Sequence, residues 1–177
     1  MKKEQLLEDM KQDMIHGIKN AVKAIKLDSD DEVCYISLLG TDYEPVLGLI
    51  TLGIKSIRDE MLQEEESHKH WYIWNSGEMP ARYQAGPEKV SATFEAKQTK
   101  FLELSEGDDW EVTWESCQKV RFEVANQLNS VDWSDTLPVT ADFVLYSDWE
   151  AIDVDGGDLI KSMPADKFHV LKQQSLI

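Results

Sequence analysis

Residues 33–53, VCYISLLGTDYEPVLGLITLG, are the most apolar stretch of an otherwise polar chain. They read as two strands, 33–39 and 46–52, turned back through a loop that holds Gly40 and Pro45. In the first strand Val33, Tyr35, Ser37 and Leu39 share one face, and Cys34, Ile36 and Leu38 share the other. Both faces are largely apolar, which predicts an interior strand with cover on each side. A chain built on such a hairpin has to supply helices to cover it.

The helices are written in the spacing of apolar residues. Over 2–26, Leu7, Met10, Met14, Ile18, Ala21, Val22 and Ile25 recur at steps of three and four, which predicts an amphipathic helix. Gly17 falls inside it and costs ~1 kcal/mol against alanine on propensity alone. A second long helix is predicted over 110–129, with Trp110, Trp114, Cys117, Arg121, Val124 and Leu128 along one side and Asp108 as its cap. Helices are also predicted over 54–66 and 87–104, with shorter pieces over 158–162 and 164–173. Residues 71–74, Trp-Tyr-Ile-Trp, predict a short strand, as do 142–149, DFVLYSDW. Strands cluster and helices come in runs, so the expected fold is α+β. It should hold an antiparallel or mixed sheet of about three to five strands with the 2–26 and 110–129 helices packed against it. With 177 residues and no internal repeat or linker, one domain spans the chain.

Charge narrows the partners. The net charge is −16, and residues 102–158 hold 15 acids against only Lys119 and Arg121. Such a field repels nucleic acid and anionic membrane and draws in basic proteins. No apolar run approaches the ~20 residues of a membrane span. The two cysteines, Cys34 and Cys117, sit in apolar surroundings and read as buried free thiols, and the opening MKKEQLLEDMKQDM lacks an apolar leader. Both features predict a cytoplasmic setting.

Dedicated catalytic motifs are not found: there is no G-x-S-x-G, phosphate-cradling glycine loop, H-E-x-x-H or paired C-x-x-C. His68 and His70 lack a third ligand, and the acidic run from Asp153 to Asp158 fails the calcium-loop spacing at its fifth, sixth and twelfth positions. No metal and no cofactor are expected.

The order of features resembles a family of bacterial single-domain proteins known as domain of unknown function 4303. The likeness is carried by EVCYISLLGTDYEPVLGLITLG, by W-N-S-G-E from Trp74 to Glu78, by ADFVLYSDWE from Ala141 to Glu150, and by the helix after S-M-P at 162–164. The resemblance implies no agreed active site. It does imply a place in immunity or partner-binding neighbourhoods beside bacterial toxin genes. The resulting expectation is a protein-binding domain, immunity-like, whose acidic side meets a basic, toxin-like protein. Candidate contact residues are Asp148, Trp149, Glu150, Asp153 and Asp155, with Trp74 and Glu78 as a second region. Two alternatives stay open: a carboxylate-based enzyme with a cleft lined by Trp71, Trp74 and Tyr83, and a structural, self-associating protein.

Overall fold

The computed structural model describes residues 2–64, 68–149 and 157–177. Its centre is β1 (Val33–Leu39), in which Val33 through Leu38 are all buried. β2 (Leu49–Ile54) pairs with it antiparallel, β3 (Gln84–Ala85) adds a two-residue edge to β2, and β4 (Val139–Asp148) runs parallel to β1 on its other side. The order β3-β2-β1-β4 makes a four-stranded mixed sheet, and with the helices around it the fold is α+β.

The hairpin expectation needs one correction. β2 begins at Leu49, not at residue 46. The backbone N–H groups of Val46 and Leu47 donate not to β1 but to Oε1 of buried Gln98, at 2.9 and 3.0 Å, and Gln98 Nε2 donates back to Leu47 O at 3.1 Å. A glutamine side chain thus replaces the ladder and turns residues 40–48 into a fixed loop.

The helices are α1 (Lys3–Lys23), α2 (Lys55–Glu64), α3 (Lys69–Trp74), α4 (Phe94–Leu104), α5 (Trp110–Leu128), α6 (Asp158–Ser162) and α7 (Ala165–Gln173). α5 and α6 lie on β4, and α1 lies on α4 and α5. α5 covers the sheet face that carries Leu38 and Ser147, and α3 reaches the opposite face, that of Tyr35 and Tyr146. The predicted strand at 71–74 is helix α3. Helical turning puts Ile73 and Trp74 inward together and leaves Trp71 exposed, whereas a strand would have put Trp71 and Ile73 on one face. The predicted 87–104 helix is interrupted: a 3-10 turn at Pro87–Lys89 precedes α4. Asp109, rather than Asp108, caps α5, its carboxylate accepting the Glu111 N–H at 2.9 Å.

Gly17 is explained by contact. A Cβ there would overlap the carbonyl oxygen of Val90, so α1 approaches this backbone as closely as it does only because residue 17 has no side chain. Gly17→Ala gains ~1 kcal/mol of helix propensity and pays an overpacking cost of roughly 1–3 kcal/mol. We expect a net loss, read as a lower urea midpoint; an unchanged or higher midpoint would show that α1 can slide clear of Val90.

Two further features set the interior. Arg58 and Asp142 form a buried ion pair at 2.6 Å, with 4% and 7% of their surfaces exposed. The outer edge of β4 is covered by side chains. Asn129 accepts from the Leu145 N–H at 2.9 Å and donates to its carbonyl at 2.8 Å; Ser162 Oγ accepts the Ser147 N–H at 3.0 Å, and Lys167 Nζ donates to Phe143 O at 2.7 Å. Among the described residues no helix is long and apolar enough to cross a membrane.

Candidate functional site

The fixed loop at 40–48 forms one wall of an open groove of about 330 Å³. Gly40, Thr41 and Asp42 come from the loop, Trp110, Glu111 and Trp114 from the first turns of α5, and Trp149 from the residue after β4. The three indoles follow one another in an arc. Trp110 and Trp114 lie 6.4 Å apart between ring centroids and Trp114 and Trp149 5.9 Å apart, tilted by 38° and 53°. Trp110 keeps 44% of its surface exposed, and Tyr43, at the loop tip, keeps 87%.

Arg121 holds these walls together from behind. It is fully buried, donates from Nε to Ser147 Oγ at 3.1 Å and from Nη1 to Pro45 O, and its guanidinium stands 5.0 Å from the Trp114 ring centroid. A Cβ on Gly40 would collide with that guanidinium, so the glycine is what lets the loop close over it. Nη2 has no hydrogen-bond partner among the described residues. Burial lowers the Arg121 pKa to about 10, still protonated at neutral pH. Trp149 is fixed by its Nε1–H, which donates to Asp158 Oδ2 at 3.2 Å.

Asp148 is 2% exposed and cannot meet a partner at the surface. It accepts from Ser37 Oγ at 3.1 Å, from the Ser76 N–H at 3.2 Å and from the Trp149 N–H at 2.8 Å. Burial raises its pKa above the ordinary 3.8, and those hydrogen bonds only partly offset it. The folded chain therefore holds this proton more tightly than the unfolded chain. The associated stability is present below pH 3.8 and is lost as pH rises through the folded value. A carboxyl carbon NMR titration should place the Asp148 midpoint above 3.8; a midpoint at or below that value would mean that its three donors outweigh burial.

The other predicted contact residues are placed as follows. Trp74 is 1% exposed and packs against Tyr35 and Tyr146, so it is core, not contact surface. Glu78 is exposed in a 3-10 turn beside Asn75. Glu150, Asp153 and Asp155 lie outside the described residues. The two predicted regions do meet, since Ser76 binds Asp148 and the Tyr146 hydroxyl donates to Trp74 O at 2.7 Å, but they meet inside the fold. Tyr83 is buried as well while Trp71 lies at the surface, so Trp71, Trp74 and Tyr83 do not wall an open cleft. The apolar period of α5 alone places Trp110 and Trp114 on its packing face. The available signal was two tryptophans one turn apart, immediately after an acidic cap and flanked by Glu111 and Glu115.

The acidic surface is smaller than composition predicts. Three lysines of α1 answer acids of the 102–158 region: Lys3 pairs with Asp108, Lys11 with Glu123 at 3.1 Å and Lys19 with Asp135 at 2.9 Å. Asp142 is taken by Arg58 and Glu103 by Lys100. Glu106, Asp109, Glu111, Glu115 and Asp132 remain exposed with no ion pair among the described residues; the first four lie at the start of α5 or just before it, Asp132 lies past its end, and Asp42 is exposed across the groove. Compared with family models, curated proteins and solved structures, the chain matches none.

Proposed function

We propose that the chain is a cytoplasmic protein-binding domain that receives a basic protein on the surface formed by the 40–48 loop and the first turns of α5. The observation that carries this reading is the coincidence, on one small area, of uncompensated carboxylates with exposed aromatic side chains. Asp109 and Glu111 also suit the positive end of α5, which accounts for their place on the helix but not for the tryptophans beside them. Aromatic anchors ringed by charge are the usual content of a binding hot spot, and unpaired charge speeds encounter with a partner of opposite sign. The resemblance to domain of unknown function 4303 supports the same class and suggests a toxin-like partner.

The test compares the intact chain with a Glu111→Lys, Glu115→Lys double variant, each immobilised and exposed to host proteins. The unaltered chain should retain a basic protein at low salt and release it near 1 M salt, where screening acts over only about 3 Å. The variant should retain at least about tenfold less of the same protein, the scale of a few lost rim charges. Equal retention by both, or retention of acidic proteins alone, would remove the proposal.

A further inference from the structure

The groove itself specifies what chemistry enters it. We propose that the three-tryptophan groove is a receptor for a guanidinium group, supplied by an arginine side chain of the partner. The inference rests on the reading that the partner is a basic protein, and it assigns the residue type that the partner inserts.

Indole faces are the strongest aromatic sites for cations, and here three of them stand within 6.4 Å of their neighbours along one wall. The volume of about 330 Å³ lies at the small end of ligand pockets, right for one long side chain and too small for a helix. Asp42 and Glu111 stand at the rim, exposed and without an ion pair among the described residues. A carboxylate takes a guanidinium through two parallel hydrogen bonds, whereas it takes an ammonium as a point charge. A groove walled by ring faces suits a flat, weakly hydrated ion better than a compact, strongly hydrated one.

The protein already makes a contact of this kind once, since the buried Arg121 guanidinium stands over the Trp114 ring at 5.0 Å from its centroid. That leaves Trp110 and Trp149 as the principal faces for an incoming ion. The buried charge of Arg121 opposes a second cation, but Asp148 and Asp158 lie within its field and the rim acids remain in excess. The walls are also set in advance: Gln98 fixes the loop, and Asp158 fixes Trp149. Little ordering cost is left for the binding step.

The experiment is a nitrogen-15 NMR titration of the intact chain with Nα-acetyl-argininamide, read at the indole N–H signals. A single cation–π and carboxylate contact corresponds to a dissociation constant of about a millimolar or somewhat weaker. The signals of Trp110, Trp114 and Trp149 should move saturably. Those of Trp74 and Trp133, whose N–H groups donate inside the core to Leu176 O and Leu128 O, should stay in place and serve as internal references. The neutral isostere Nα-acetyl-citrullinamide should move nothing, and Nα-acetyl-lysinamide should bind at least about threefold more weakly. Trp110→Ala, at a partly exposed position and with the unmoved Trp74 and Trp133 signals as the check that the fold is kept, should weaken arginine binding by about tenfold. Silent groove signals, or lysine binding as well as arginine, would overturn the assignment. A captured basic partner with silent indoles would sink the guanidinium site alone. Moving indoles with no basic partner captured would sink the partner reading alone.

Discussion

Asp142→Ala is expected to lower the unfolding free energy by about 3–5 kcal/mol, because it leaves a buried guanidinium without its counter-charge. Arg58 and Asp142 are both nearly sealed from water, and their 2.6 Å contact joins α2 to β4. Removing the carboxylate leaves Arg58 with one longer approach, from its Nε to Asp59 at 3.9 Å. For a domain of ordinary stability, about 5–15 kcal/mol in all, this is a large share. Urea unfolding measures it directly: with a slope of about 1–3 kcal/mol per molar, the midpoint should fall by roughly 1–5 M. Replacing both residues, Arg58→Met with Asp142→Leu, should recover most of the loss, since the cost comes from an orphaned charge and not from absence of the pair. A single-variant loss below about 1 kcal/mol would mean that water reaches Arg58 and that the pair behaves as a surface one.

Trp74→Ala should cost a similar amount, about 3–5 kcal/mol. The indole packs 5.8 Å from Tyr35 and 5.2 Å from Tyr146 between ring centroids, and its N–H donates to Leu176 O at 2.9 Å. Alanine would open a cavity on the sheet face and also free the segment after α7. Trp74→Phe keeps most of the volume and loses the hydrogen bond, so its cost should be nearer the ~1 kcal/mol typical of one such bond. The pair of variants separates packing from anchoring. If Trp74→Ala unfolds at the same denaturant concentration as the parent chain while partner capture is lost, Trp74 is a contact residue after all.

Trp74 also marks where the sequence was legible and where it was not. The stripes of α1 and α5 and the two-sided apolarity of β1 give period and burial directly, and with them the α+β class. Four consecutive strand-prone side chains at 71–74 carry composition without period, and tertiary contact with Tyr35 and Tyr146 decides their conformation. The start of β2 was hidden because the competing hydrogen-bond partner is Gln98, 52 positions from Val46. Arg58 was illegible for a related reason: a buried arginine is recognised only by what surrounds it, and Asp142 is distant in sequence; Arg121 falls on the packing side of α5 by period, but its partners Pro45 and Ser147 are distant or ordinary in type. The groove follows the same logic. Trp110 and Trp114 carry a packing period and stand at a helix start, and only the loop closed over Arg121 and the ring of Trp149 turn them into a wall.

The side chains that cover the outer edge of β4 have a consequence for how molecules of this protein meet one another. An open strand with free amides is a template on which another chain can lay a strand of its own, and repeated addition leads to fibrils. Here Lys167 already occupies the carbonyl of Phe143, Asn129 both backbone groups of Leu145 and Ser162 the N–H of Ser147, groups that a newcomer would need, and the opposite margin, β3, is only two residues long. Neither margin offers a run of backbone long enough to seed such growth, so crowding alone should not drive this sheet to extend from one copy into the next.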